Sequence, residues 1–242
     1  MPMTATNVDF RVMTSGAFTA AHFALLPQVE RLTQLKVVTV TTSIGTGDTS
    51  IPNRLKRGEV ADLVIVAERV LRQFIAEGLV MSEGSAVVAR SSIGMAVRKG
   101  APKPDISSLE ALRNTLLRAK SVGYSASESG KYLTTELYQR LGIADQMLPK
   151  SRLVGGGERV GTVVARGDVE IGFQQMSELL PVQGLDHITP LPPEVQKVSS
   201  FAAGVGATSP SPALARTVIQ FLVSPEAAAA IASTGLEPAG SR

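Results

Sequence analysis

Small polar residues cluster in four loops of this chain: Thr14-Ser15-Gly16, Ser43-Ile44-Gly45-Thr46, Ser125-Ala126-Ser127-Glu128-Ser129-Gly130 and Gly155-Gly156-Gly157-Glu158. Each stands at the end of a strand-like run and leads into a helix-like one. Helix N-termini present unpaired N–H groups and partial positive charge, so hydroxyls and N–H groups gathered there hold an anion through neutral donors. One such loop is equally well explained by a serine that caps its own helix. Four of them, spread over both halves of the chain, describe a cleft for a fully ionised oxyanion or carboxylate. Thr14, Ser15, Gly16, Ser43, Gly45 and Thr46 supply one wall, and Ser127, Ser129 and Gly130 the other. Arg159, beside the glycine loop, and Arg152 and Lys131 at the neighbouring loops are cations that could pair with a polyanion, while each singly reads more readily as a surface charge. Gln174 and Gln175 put two amides at the carboxyl end of a strand, where open α/β sheets take their ligands, and a solvated turn explains the pair nearly as well.

Periodicity gives the elements that position these loops. Phe10 to Thr14 reads as a strand, followed by a helix from Ala17 to about Thr33 with Phe18, Ala21, Leu25, Val29 and Leu32 on its apolar face. Lys36 to Thr42 is a β-branched strand, and Ala61 to Ala67 a fully apolar one, the pattern of a strand covered by helices on both faces. Further on, Ser107 or Ser108 caps a helix through Arg118, Ser121 to Tyr124 is a strand, Lys131 to Leu141 a helix, and Glu170 to Gln174 a strand. Arg57-Gly58-Glu59-Val60 returns as Arg166-Gly167-Asp168-Val169, each copy closing a helix on glycine before a strand opens. One plan used twice predicts an α/β chain of two Rossmann-like lobes with mostly parallel sheets. Long extended segments near residues 84–92 and 195–205 suit two crossing strands and a hinge. The division is residues 1–85 plus 199–242 for the first lobe and 86–198 for the second.

Composition narrows the chemistry. At 242 residues and 44% hydrophobic the chain can bury a substantial core without staples. It contains no cysteine, so thiolate catalysis and thiolate metal ligation are excluded, and its two histidines, His22 and His187, are too far apart in sequence for a zinc spacing. The glycine loop lacks a following Gly-Lys-Ser, and no GxGxxG follows the first strand. Neither a metal nor a cofactor is expected. A net charge of +3 with 4% aromatic residues is a poor platform for nucleic acid, and no apolar run approaches membrane-spanning length. The expected state is a monomer. Met1 to Phe10 has neither a basic nor an apolar export region, which implies a periplasmic protein if a signal has been removed and a cytoplasmic one as written.

The chain resembles the type II periplasmic solute-binding proteins, in particular the molybdate-binding branch. The resemblance rests on Val12-Met13-Thr14-Ser15-Gly16, the Ser43 loop, Arg57 to Leu63, Gly130-Lys131-Tyr132 with Glu136-Leu137, and Val169-Glu170-Ile171-Gly172. It implies two lobes that close on a small anion, with Ser15 and Ser43 as hydroxyl ligands and Ser129 and the backbone of Val160 as donors from the second lobe. It also implies delivery to the membrane subunits of an ABC transporter if the protein is exported. Where molybdate binders end a strand with a tyrosine against the oxyanion, this chain has Gln175, which points toward a carboxylate or larger organic anion. The same superfamily includes aconitate isomerases, which move a proton along a tricarboxylate and therefore need an acid–base group. Glu128, Glu158, His22 and Lys131 are the residues the sequence offers for that role, without choosing among them.

Overall fold

Apolar β-branched runs become strands, and runs with apolar residues every third or fourth position become the helices that cover them. The computed structural model describes residues 9–41, 47–155 and 158–240. Ser43, Gly45 and Thr46 lie outside the described residues, as do Gly156 and Gly157. In chain order come β1 (Phe10–Thr14), α1 (Gly16–Thr33), β2 (Val37–Thr41), α2 (Ile51–Lys56), β3 (Leu63–Ala67), α3 (Glu68–Ala76) and β4 (Ala86–Ser91). After Ser92 the chain continues as β5 (Ile93–Arg98), α4 (Leu109–Arg118), β6 (Val122–Ser125), α5 (Glu128–Tyr132), a π-helical turn (Leu133–Leu137), α6 (Tyr138–Arg140) and α7 (Ala144–Met147). Then follow β7 (Ser151–Val154), α8 (Val160–Arg166), β8 (Ile171–Gln175), α9 (Met176–Leu179) and β9 (Leu185–Pro190). The return is made by β10 (Ser199–Val205), α10 (Pro212–Leu222), α11 (Pro225–Ala232) and β11 (Glu237–Pro238).

Two sheets result, ordered β11-β4-β10-β3-β1-β2 and β7-β6-β8-β5-β9. β1 runs parallel to β2 and β3, and β6 parallel to β7 and β8, as alternating strands and helices require. Both sheets are nevertheless mixed rather than mostly parallel. The crossing segments enter from the opposite end: β10 is antiparallel to β3 and β4, and β5 is antiparallel to β8 and β9. β4 thus pairs in the first sheet, so that sheet takes in residues 86–91, which the sequence division put in the second lobe. The outward crossing is the single residue Ser92, and the return crossing runs between Pro190 and Ser199.

Each sheet is a filling between helices. In the first lobe Phe18, Ala21, Leu25 and Val29 of α1 pack with α10 and α11 on one face, while Ile51, Leu55, Leu71 and Phe74 of α2 and α3 cover the other. Burying a Phe, Leu or Val side chain contributes about 1.5–3 kcal/mol, so the α1 stripe alone is a large part of what holds this lobe together. The stripe ends earlier than its spacing predicts. Leu32 is 38% exposed, and Thr33 turns inward instead, its hydroxyl donating to the Val29 carbonyl at 2.8 Å. The repeated Arg-Gly-acid motif does close helices on a left-handed glycine, with φ of +75° at Gly58 and +85° at Gly167. Asp62, buried just before β3, accepts from the Arg11 N–H at 2.8 Å and from the Ser209 hydroxyl at 2.6 Å, tying the start of the first sheet to the returning chain.

Candidate functional site

Among the described residues, the two lobes meet at the Gly16 turn, against Glu178, and at the 125–130 loop, where Glu128 meets Arg69. β1 runs out at Thr14, and Ser15 turns the chain into α1, the longest helix, with extended backbone (φ −73°, ψ 161°). Ser15 makes no side-chain cap bond, and its hydroxyl is buried with no hydrogen-bond partner. By contrast, Ser108 caps α4 by accepting from the Ala111 N–H at 3.1 Å. A buried hydroxyl left without a partner carries a desolvation cost, and a ligand that bonds it removes that cost. Capping does not account for Ser15.

The second lobe answers with α5 and the residues before it. Ser127, which also makes no cap bond, joins a hydroxyl chain from Ser125 (2.7 Å) to Ser129 (3.1 Å). Ser129 is fully buried, and Gly130 must be glycine because a Cβ there would fall 1.7 Å from the Ser125 carbonyl oxygen. The helix that begins here contains the π-helical turn, a distortion that often accompanies function. Glu128, in the first turn of α5, reaches across the cleft to Arg69 of α3, with Nη2 2.5 Å from Oε1. Hydrogen bonding from Arg69 holds its carboxyl below the usual range, so it is an ionised latch at neutral pH. Lys131 is exposed and adds only a further favourable field on Glu128.

The two adjacent glutamines part company, as neighbours in a strand must. Gln175 faces the hinge. With Nε2 turned toward the carbonyls of Ser91 and Ser92 (3.1 and 3.2 Å) and Oε1 accepting from the Ser199 hydroxyl (3.1 Å), it fastens both crossing segments. Gln174 takes the other side. Its Nε2 donates to Glu178 Oε2 at 2.6 Å, while its buried Oε1 has no partner.

Glu178, on α9, is the residue that sequence reasoning passed over. Its carboxyl lodges against the N-terminus of α1 in the other lobe: a Cβ on Gly16 would come within 2.4 Å of Oε2. Desolvation pushes its pKa up to about 7, opposed by the positive field of Arg159, which stands at the head of α8 directly before Val160. The surrounding protein outweighs that nearby cation, although part of the Glu178 side chain still reaches solvent. The only sequence signal was an acidic residue just beyond the carboxyl end of a strand that already carried an amide.

The other candidates sit apart from this cluster. His22 is buried inside the first lobe with Nε2 2.7 Å from Thr39 Oγ1, and burial lowers its pKa to about 4, so it is neutral. Glu158 is exposed and paired with Arg166 at 2.8 Å. Among the described residues, no three His, Cys, Asp or Glu side chains gather as metal ligands do. Two surface hollows of about 280 and 250 Å³ lie beside α4, lined by residues such as Asp105, Arg118 and Pro102, and do not touch the cleft.

The profile of a family described as bacterial extracellular solute-binding protein matches residues 10–237. An aconitate isomerase of Pseudomonas sp is 39% identical over 228 residues, covering 94% of this chain and 87% of that protein. The periplasmic molybdate-binding protein of Azotobacter vinelandii superposes with a TM-score of 0.75 at 16% identity, covering 94% of this chain and 98% of that one. A sulfate-binding protein of Mycobacterium tuberculosis gives 0.75 at 18% identity, covering 97% and 88%. At those identities the two structures speak for the fold alone.

Proposed function

The chain belongs to the bacterial extracellular solute-binding protein family, and on that premise we propose that its cleft closes on a small unsaturated polycarboxylate and interconverts the isomers of aconitate. The observation that carries this reading is Glu178: a carboxylate already rests at the α1 N-terminus, and it titrates near neutrality. A site built only to retain an oxyanion has no use for a carboxyl poised between its two forms, whereas proton transfer works best when pKa lies near working pH. The unpartnered Ser15 hydroxyl, the hydroxyl chain ending at Ser129 and the Arg159 guanidinium supply seats for several carboxylates. The whole-chain likeness to a protein named aconitate isomerase supports the same substrate class.

The reaction asks for little else. Aconitate is propene-1,2,3-tricarboxylate, so removing a proton from its methylene and returning one to its vinyl carbon regenerates the same skeleton with the double bond moved one place. The new double bond is cis or trans according to how the chain is held, and no rotation about a double bond is required. Proton NMR of either isomer incubated with the protein tests this: both should relax to one mixture. Binding without interconversion would leave a receptor, and neither binding nor turnover would remove the substrate class altogether.

Delivery of the bound anion to ABC-transporter membrane subunits is the second reading. The Arg69–Glu128 pair favours it, because a cleft latched across its mouth retains what it holds. The family's extracellular description supports a periplasmic place of work for either role.

A further inference from the structure

Resting on the isomerase reading, we propose that Glu178 is the catalytic carboxyl that carries the proton between the two substrate carbons, and that Gln174 is the positioning residue that keeps it ready in both protonation states. Gln174 donates Nε2 to Glu178 Oε2 at 2.6 Å, and its own Oε1, buried in a side chain only 4% exposed, has no partner. When Glu178 takes up a proton, exchange of the amide ends lets Oε1 accept from the new carboxylic acid, so neither form loses a bond. An amide that serves both forms keeps the two close in energy, which a permanent cation at this place would not do.

Charge around the carboxyl is correspondingly sparse. The elements packed against α9 carry His22, Glu30 and Arg31 on α1, Arg98 on β5, Arg166 on α8, and Asp186 and His187 on β9, with Arg159 at the head of α8. Among the described residues, only Arg159 exerts a field on Glu178. Gly16 completes the arrangement by leaving room for the carboxyl at the α1 N-terminus, the end of the helix that attracts a substrate carboxylate. A ligand seated there lies beside Glu178.

In the step itself, Glu178 takes the methylene proton. The C–H electron pair spreads over the allylic system into the adjacent carboxylate, and the proton returns to the former vinyl carbon as the pair localises in the new C–H bond. Nothing is oxidised or reduced, and the carboxylate is regenerated.

Three measurements on the full chain test the assignment: turnover by NMR, exchange of the methylene protons in deuterium oxide, and thermal shift with trans-aconitate. E178Q should keep the thermal shift while turnover and exchange fall on the order of 10²–10⁴-fold, the usual range for an acid–base group. In the wild type kcat/KM should rise with pH through about 7 as the carboxylate forms. In Q174M, which keeps volume but removes the amide, that limb should move to higher pH, because the bond to the charged carboxylate is the stronger of the two that Gln174 makes. Wild-type turnover in E178Q overturns the catalytic role, and an unmoved limb in Q174M overturns the positioning role. A wild-type protein that binds aconitate without converting it brings down the isomerase reading and this assignment together.

Discussion

Arg69 and Glu128 form an ion pair from α3 of the first lobe to α5 of the second, with the guanidinium Nη2 2.5 Å from the carboxylate. The pair is surface-facing, with 61% of the Arg69 side chain exposed, so it contributes only about 0–1 kcal/mol to global stability. A two-lobed protein poised between open and closed forms is shifted several-fold by that amount. R69A should therefore leave the melting temperature nearly unchanged while the ligand-free radius of gyration in X-ray scattering increases. Raising ionic strength should move the wild type toward the variant, because exposed charges are screened. Identical scattering for the two at low salt would show that the pair does not hold the lobes.

Glu178 and His22 pull stability in opposite directions as pH changes. The folded pKa of Glu178 is raised from 4.5 to about 7, so between those values the folded protein binds more protons than the unfolded chain, and stability falls as pH rises. His22 is lowered from 6.5 to about 4, so between those values the unfolded chain binds more protons, and stability climbs as pH rises. Each effect is on the order of 3–4 kcal/mol and the windows overlap from about 4.5 to 6.5, where they largely cancel. E178Q removes one of them. Urea denaturation of the ligand-free variant should show stability increasing from about pH 4 to 6.5, with a gain over wild type that is greatest above pH 7. A parallel pair of pH profiles would contradict the buried state of Glu178.

Gly16 is the residue that lets the two lobes share a carboxylate. In G16A a methyl group would stand 2.4 Å from Glu178 Oε2, and because that oxygen is the far end of a flexible side chain, the carboxyl moves rather than the backbone. Alanine suits a helical first turn, so stability should change by less than about 1 kcal/mol. Expelled toward solvent, Glu178 returns toward ordinary acidity. Turnover should fall at least about tenfold, with the pH limb moving down, the opposite direction from Q174M. An unaltered pH profile in a correctly folded G16A would mean that the contact is incidental.

The fold was legible because its signals are local. The apolar stripe of α1 as far as Val29, the Ser108 cap and the Gly58 and Gly167 helix ends each depend on a few neighbouring residues, and each stands where local pattern puts it. Strand direction is not local. The antiparallel entry of β5 and β10 depends on where the chain crosses, and β7 and β9, short and largely half-exposed, carry little apolar alternation to announce them. The site divides in the same way. Ser15, Ser127, Ser129 and Gly130 are candidates the sequence offers because small residues at helix starts have a recognisable spacing. Glu178 acquires its character only from Gly16, more than 150 positions away, and from burial that no spacing encodes. Gln174 and Gln175 look alike in sequence and do different work because a strand turns alternate side chains to opposite faces.

Gln175 bonds to Ser91, Ser92 and Ser199, at the point where both crossing segments leave the first sheet, and it is 2% exposed. Q175A would remove one hydrogen bond each from the Ser91 and Ser92 carbonyls, the second of which keeps the Met176 N–H at 2.9 Å, and from the half-buried Ser199 hydroxyl, at about 0.5–1.5 kcal/mol per bond. Since Gln175 faces away from the cleft cluster, the ranking of anions in a thermal-shift panel should stay as in the wild type, whereas Q174M should change it. The hinge also gains freedom when its clasp is removed, so hydrogen exchange at residues 91–93 and 197–199 should accelerate in Q175A alone. If Q175A instead changed which anion is preferred and left exchange at those residues as it was, Gln175 would belong to the ligand and not to the hinge.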